Sequence, residues 1–319
     1  MSSSASQIEQ PGGRPAEPQF PGGQRPHLVY TIAFDAPGRS RMRVLAKLLA
    51  SSLTRTHFAG DIIVFRNTPV PLFLVERQGL EEVYIQTPEL DGEALVTYAM
   101  DWKYEARRWI DGRKFDKVLY LDVDCLVLRN LDHLLMDGGL QSPPGKVGHA
   151  AGPRRWDILY QEERGRAVQT GVFSHFLSKE EKKELRRYGI NSGTWAVRGD
   201  VYNEVMAAWA GISKTGRTQP DVWREQAAWN RLILDAEQGR GGGGRAGGGT
   251  PGRWRTQRFE AHEVQFPLHL DMDYRNYRQA AILHAVGGNF EEKAAFLQSM
   301  YLGRFFGDQT GLFLNFLDM

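Results

Sequence analysis

The chain has 319 residues, 41% of them hydrophobic and 24% charged, with a formal net charge of +2. That length can bury a sizeable core, as one large α/β domain or two small ones. The near-balance of charge offers no bulk field to nucleic acid or to an anionic membrane, so no nucleic-acid partner is expected. A single cysteine excludes an intrachain disulfide and suits a reducing compartment. The sequence has neither an N-terminal apolar stretch of signal-peptide length nor a run long enough to span a bilayer, so a cytoplasmic protein is expected.

Residues 1–26 are rich in Ser, Gly, Pro and Gln and read as a disordered lead-in to a domain over 27–319. Leu28 to Ala33 reads as a first strand, followed by a helix carrying Met42, Leu45, Leu49 and Leu53 at helical spacing. Asp61 to Phe65 is a second buried strand, Pro71 to Gln78 a short helix, and Val83 to Ile85 a third strand. Such strand–helix alternation implies an α/β fold with a mostly parallel sheet flanked by helices. Glu93 to Asp111 predicts a helix with Leu95, Tyr98, Trp102, Ala106 and Trp109 on one face and Gly112 as its stop. Lys103 and Arg107 share a flank of it, with Arg108 beside them; a solvated basic face paired with Glu105 is the plain reading.

Val118 to Leu121 is an unbroken apolar run, the pattern of a strand buried on both faces, and it ends in Asp122 and Asp124. In an extended backbone, residues two apart point to one side, so both acids can face one ligand. Ligands of open α/β sheets bind at the carboxyl ends of strands, where these acids fall. Two close carboxylates repel unless they share a cation, and hard divalent cations prefer oxygen. Cys125, inside the same segment, reads as a small buried apolar residue.

The run Val-Leu-Tyr-Leu-Asp-Val-Asp-Cys-Leu-Val-Leu-Arg-Asn-Leu-Asp over 118–132 resembles the D-x-D segment of the glycogenin-like glycosyltransferases, family eight of that class. The resemblance implies a GT-A fold: one Rossmann-like domain that binds a nucleotide-diphosphate sugar and Mn²⁺ or Mg²⁺. It places Tyr30, Thr31 and Ala33 near the nucleotide base, with Tyr30 equally readable as core, and Lys103 in reach of the donor.

Further along, Asn130 to Met136 looks like a short helix, residues 138–176 like a long loop, and Ser178 to Gly189 like a capped, charged helix. Asn191-Ser192-Gly193 then leads into an apolar strand; alone it is a turn, while the family carries the same tripeptide at the donor sugar. Asp200 opens one helix and Asp221 another, which holds Glu225-Gln226 where the family has Asp-Gln pointing at the sugar. By this resemblance Asn191, Glu225 and Gln226 are the residues at the reacting centre, and Asp221 is a substitute for Glu225. Residues 239–252 are a flexible Gly-rich excursion, and Asp271-Met272-Asp273 is a second, weaker D-x-D.

His284 interrupts the apolar stretch of residues 281–286. With Gly287 it matches the family's late His-x-x-Gly, whose His is the third metal ligand beside Asp122 and Asp124. The family's following Lys-Pro-Trp is absent, and Lys293, in a helix from Phe290 to Tyr301, is the next basic residue. Helix spacing allows Lys293 to be turned away, leaving the diphosphate to the helix N-terminus and to Lys103, the favoured cation. The apolar tail after Gly307 suits peripheral membrane contact.

The expected activity is sugar transfer from a nucleotide-diphosphate donor to an unknown acceptor, with retention implied by the resemblance. The alternatives are a sugar nucleotidyltransferase, for which Phe34 to Arg39 would be the phosphate loop, and a catalytically silent nucleotide- or carbohydrate-binding domain.

Overall fold

A computed structural model describes residues 26–73, 79–135, 156–167, 176–180, 188–215, 224–239, 254–267, 274–286 and 288–307. Its centre is a seven-stranded sheet in the order β3-β2-β1-β4-β7-β6-β8. The strands are β1 (Leu28–Ala33), β2 (Asp61–Arg66), β3 (Leu80–Tyr84), β4 (Lys117–Leu121), β6 (Ile158–Ala167), β7 (Tyr188–Arg198) and β8 (Thr256–Arg258). β1, β2, β3 and β4 run parallel, β7 is antiparallel to both its neighbours, and β8 is parallel to β6. A second sheet, β5-β10-β9, joins β5 (Cys125–Val127), β9 (Val264–Gln265) and β10 (Ile282–His284). The fold is therefore α/β and Rossmann-like, with a mostly parallel sheet, as the sequence implies.

Every residue of β1 and β4 is buried, because helices cover both faces of the sheet. Val29, Ala33, Leu119 and Leu121 face α1 (Arg41–Arg55), α6 (Phe290–Phe306) and the small sheet in one apolar cluster. Tyr30, Ile32, Val118 and Tyr120 face α2 (Gly92–Glu105), α4 (Gly199–Thr215) and α5 (Arg224–Glu237) in the other. The strand period of two thus sorts adjacent residues into two cores.

Several elements differ from the sequence expectation. The helix expected to run to Asp111 ends at Glu105, continues as a 3-10 turn over Ala106–Arg108, and leaves Trp109 half exposed. Residues 71–73 are not helical. The short helix after the D-x-D, α3, spans Asp132–Leu135. β6 lies within the stretch expected to be loop; only its first three residues and Ala167 are apolar, so its strand character comes from pairing with β7. β7 starts at Tyr188, so Asn191-Ser192-Gly193 lies within a strand instead of a turn before one. The pairing passes from Tyr160↔Trp195 to Gln161↔Asn191, leaving Ser192, Gly193 and Thr194 without partners on β6. Such a bulge re-aims side chains, here towards the end of β4.

Asp221, Asp271 to Asp273, Gly287, most of the Gly-rich excursion and the tail after Gly307 lie outside the described residues. Among the described residues no helix is long and apolar enough to cross a membrane.

Candidate functional site

The carboxyl ends of β1 and β4 lie side by side because the strands are parallel neighbours. Asp122 follows β4 immediately, and a turn over residues 122–125, closed by Cys125 N–H to Asp122 O at 3.0 Å, leads into β5. The D-x-D is therefore a turn between two strands and not an extended segment. What brings His284 to these acids is the small sheet: β10 pairs with β5 in the register His284↔Cys125, and Ala285 N–H donates to Asp124 O at 2.9 Å. His284 Nε2 then lies 3.2 Å from Asp124 Oδ1 and 3.7 Å from Asp122 Oδ2.

β7 closes the site from the other side. Asp122 N–H donates to Gly193 O at 2.8 Å, and Asn191 Oδ1 accepts from Gly193 N–H at 2.7 Å, fixing the bulge. Gly193 is needed for close approach: a Cβ there would sit 2.2 Å from Asp122 Oδ2 and 2.3 Å from His284 Cε1.

α5 is tied to the same strand by Asn230, whose amide exchanges two hydrogen bonds with the backbone of Ile190, at 2.8 and 2.7 Å. Its first turn thereby delivers Glu225 and Gln226. Ser192 Oγ donates to Glu225 Oε1 at 2.7 Å, and Gln226 Nε2 donates to Glu163 Oε2 at 3.1 Å.

Lys103 is buried, not part of a solvated face; Arg107 and Arg108 are the residues that pair with Glu105. Its Nζ lies 2.9 Å from Glu225 Oε1 and 3.2 Å from Asp122 Oδ1, above the Tyr120 ring. Burial pulls its pKa down, but the two carboxylates outweigh this and hold it raised. Burial also raises Glu225, which shares one ammonium with Asp122 and keeps a buried Oε2 with no hydrogen-bond partner.

Lys293 points into the site, 2.6 Å from Asp124 Oδ2, although α6 begins at Phe290 as the sequence suggests. Three residues into the helix, its long side chain still reaches back across the N-terminus. Burial alone would raise Asp124, but His284 and Lys293 beside it hold its carboxyl well below the usual carboxylate range.

A cavity of about 450 Å³ opens from these groups along the ends of β1 and β4. Asp122, Asp124, Lys103 and Lys293 line it, as do Asp35, Arg39 and Arg41 and the apolar side chains of Ile32, Phe34, Leu95, Val96, Ala99 and Met100. Tyr30, Thr31 and Ala33 are buried just short of it, Tyr30 in the aromatic core against Tyr120 and Trp195. Their places beside the cavity are taken by Phe34, Asp35 and Ala36, just past the end of β1.

Asp35 accepts from the backbone of Met42 and Arg43 at 2.8 and 3.1 Å and so anchors α1. Sequence reasoning missed it, and also Tyr120, whose hydroxyl donates to Asp122 Oδ1 at 2.5 Å. Tyr120 was legible in principle, being two residues before Asp122 on one side of a strand. Asn230, four residues after Gln226 on one helix face, was legible the same way.

His284 lies near both acids, and Gly193 beside them has no Cβ to fill the space, but Asp122 is not in the group of described residues whose ligand atoms could share an ion. Among the described residues Asp124, Cys125 and His284 each offer a ligand atom within 4.8 Å of the others. Neither a protein-family model nor a curated protein matches the chain.

Proposed function

We propose that the chain is a glycosyltransferase of the glycogenin-like kind, GT-A in fold, which moves a sugar from a nucleotide-diphosphate donor to an acceptor. The observation that carries this reading is that the D-x-D acids, met by His284 and Lys293, line one cavity together with apolar side chains. A cavity that combines charged groups with apolar side chains suits a nucleotide, whose base would pack on the apolar surface and whose diphosphate would meet the charges.

Asp122, Asp124 and His284 would hold Mn²⁺ or Mg²⁺. When bound, the cation offsets negative charge developing on the leaving diphosphate. Lys293, at the mouth of the site, adds a second positive charge within reach of the same phosphates. Ser192 and Gln226, at the bulge and the start of α5, are buried and do not line the cavity, so their place at the sugar rests on the family likeness alone. Asn191 spends its side-chain oxygen on the Gly193 amide, so it shapes the bulge as well as offering its NH₂ group. Glu225 is engaged by Lys103 and Ser192 and supports the site instead of attacking the sugar. The family likeness implies retention at the anomeric carbon.

One observation favours a second reading, a silent nucleotide-binding domain: each D-x-D acid already has an ammonium partner, Lys103 or Lys293. Thermal shift against a panel of nucleotide sugars, with and without Mn²⁺, separates the two. A transferase should be stabilised by one donor only when Mn²⁺ is present. Equal stabilisation with chelator would favour the silent domain.

A further inference from the structure

The floor of the site holds a thiol. Cys125 is fully buried, and its Sγ lies 3.7 Å from Thr194 Oγ1 and 4.0 Å from Gly193 O. It pairs across the small sheet with His284, so both side chains stand on one face of that sheet. Ligand atoms of Asp124, Cys125 and His284 lie within 4.8 Å of one another, a spacing that one ion can bridge. Asp122 is engaged by both Tyr120 and Lys103, whereas Lys293 takes Oδ2 of Asp124 and leaves Oδ1 facing His284. His284 Nδ1, by contrast, is buried without a hydrogen-bond partner.

We propose that this floor is a second, overlapping metal site, which takes a soft divalent cation of the zinc and cadmium class through Asp124, Cys125 and His284. Hard cations such as Mn²⁺ prefer oxygen, and thiolate selects softer ions. Three protein ligands leave a fourth, open position of a tetrahedral set. Binding forms one metal–sulfur bond, and the thiol proton leaves to solvent. Because Asp124 and His284 would serve both sites, a soft cation and Mn²⁺ exclude each other. This competition rests on the proposed hard-cation site; the cysteine site itself does not.

The test is a Cd²⁺ titration of the full chain, followed by the thiolate-to-cadmium absorption in the ultraviolet. Cys125 is the only cysteine of the chain, so such a band reports this site alone. One equivalent of Cd²⁺ should give the band, and Mn²⁺ in excess should diminish it. Cys125→Ser should abolish the band and weaken Cd²⁺ binding by about tenfold or more. His284→Ala should weaken Cd²⁺ binding with the thiol still present. No band from folded wild type, or equal Cd²⁺ affinity in Cys125→Ser, would overturn the soft-cation site. A Cd²⁺ band beside a failure to bind Mn²⁺ would uphold the soft-cation site and refute the hard-cation reading alone.

Discussion

The two lysines of the site do different work. Lys103 is 3% exposed and faces Glu225, which is 1% exposed, so its loss leaves a carboxylate buried without a counter-charge. Breaking such a pair costs about 3–5 kcal/mol, and Lys103→Ala should lower stability in urea unfolding by that order. Lys293 is more accessible, and Lys293→Ala should cost less stability than Lys103→Ala while weakening nucleoside-diphosphate binding. A charge-assisted hydrogen bond is worth about 1.5–3 kcal/mol, so the loss of affinity should be at least tenfold at low salt. Strong donor loss with full stability in Lys103→Ala would reverse these roles.

Gly193→Ala tests the close approach directly. Its Cβ would enter the space between Asp122 and His284, and overpacking of this kind costs about 1–3 kcal/mol. The variant should fold and lose Mn²⁺-dependent donor stabilisation; unchanged Mn²⁺ binding would mean that the acids and His284 do not share an ion.

Asp124 also sets an acid limit. Its carboxyl is ionised more readily in the folded than in the unfolded chain, so the unfolded chain binds more protons at low pH and stability rises with pH there. The contribution is complete above the unfolded value of about 3.9 and is lost as pH falls through the lowered folded value. Asp124→Asn should flatten the decline in stability below about pH 4, and an unaltered acid limb would contradict the pairing with Lys293 and His284.

At the scale of elements, α6 matters for where it begins. Asn289 Oδ1 accepts from Glu292 N–H and Glu292 Oε2 accepts from Asn289 N–H, both at 2.9 Å, a reciprocal capping box. It fixes the first turn, from which Lys293 reaches Asp124. Asn289→Ala should cost about 1 kcal/mol and weaken nucleoside-diphosphate binding along with it. A stability loss with unchanged binding would show that the cap does not position Lys293.

Strands with unbroken apolar runs, β1 and β4 above all, were legible from sequence because burial on both faces leaves one pattern. β6 was not, since Gln161 to Arg166 carry no apolar alternation and the pairing that makes them a strand lies some thirty residues away in β7. The acids and His284 were legible as residue types; what joins them, a turn into β5 and the pairing of β5 with β10, is long-range and left no local mark. The direction of Lys293 was likewise hidden, because side-chain reach at a helix start is not fixed by spacing alone.

For the whole molecule, the sheet order places β4 between β1 and β7, so the carboxyl ends of β1 and β4 line one cavity while β7 and the small sheet pack against Asp122 and Asp124 behind it. Ligand binding at the carboxyl ends of an open α/β sheet follows from that order. The proposed transfer needs more: a cation held by the D-x-D that makes the donor labile. The most direct measurement is release of nucleoside diphosphate from a panel of nucleotide sugars, by wild type and by Asp124→Asn, each with Mn²⁺ and with chelator. Wild type should release it from at least one donor with Mn²⁺ only, and Asp124→Asn should lose most of that activity while remaining folded. Undiminished release by Asp124→Asn in chelator would contradict a metal-dependent transferase.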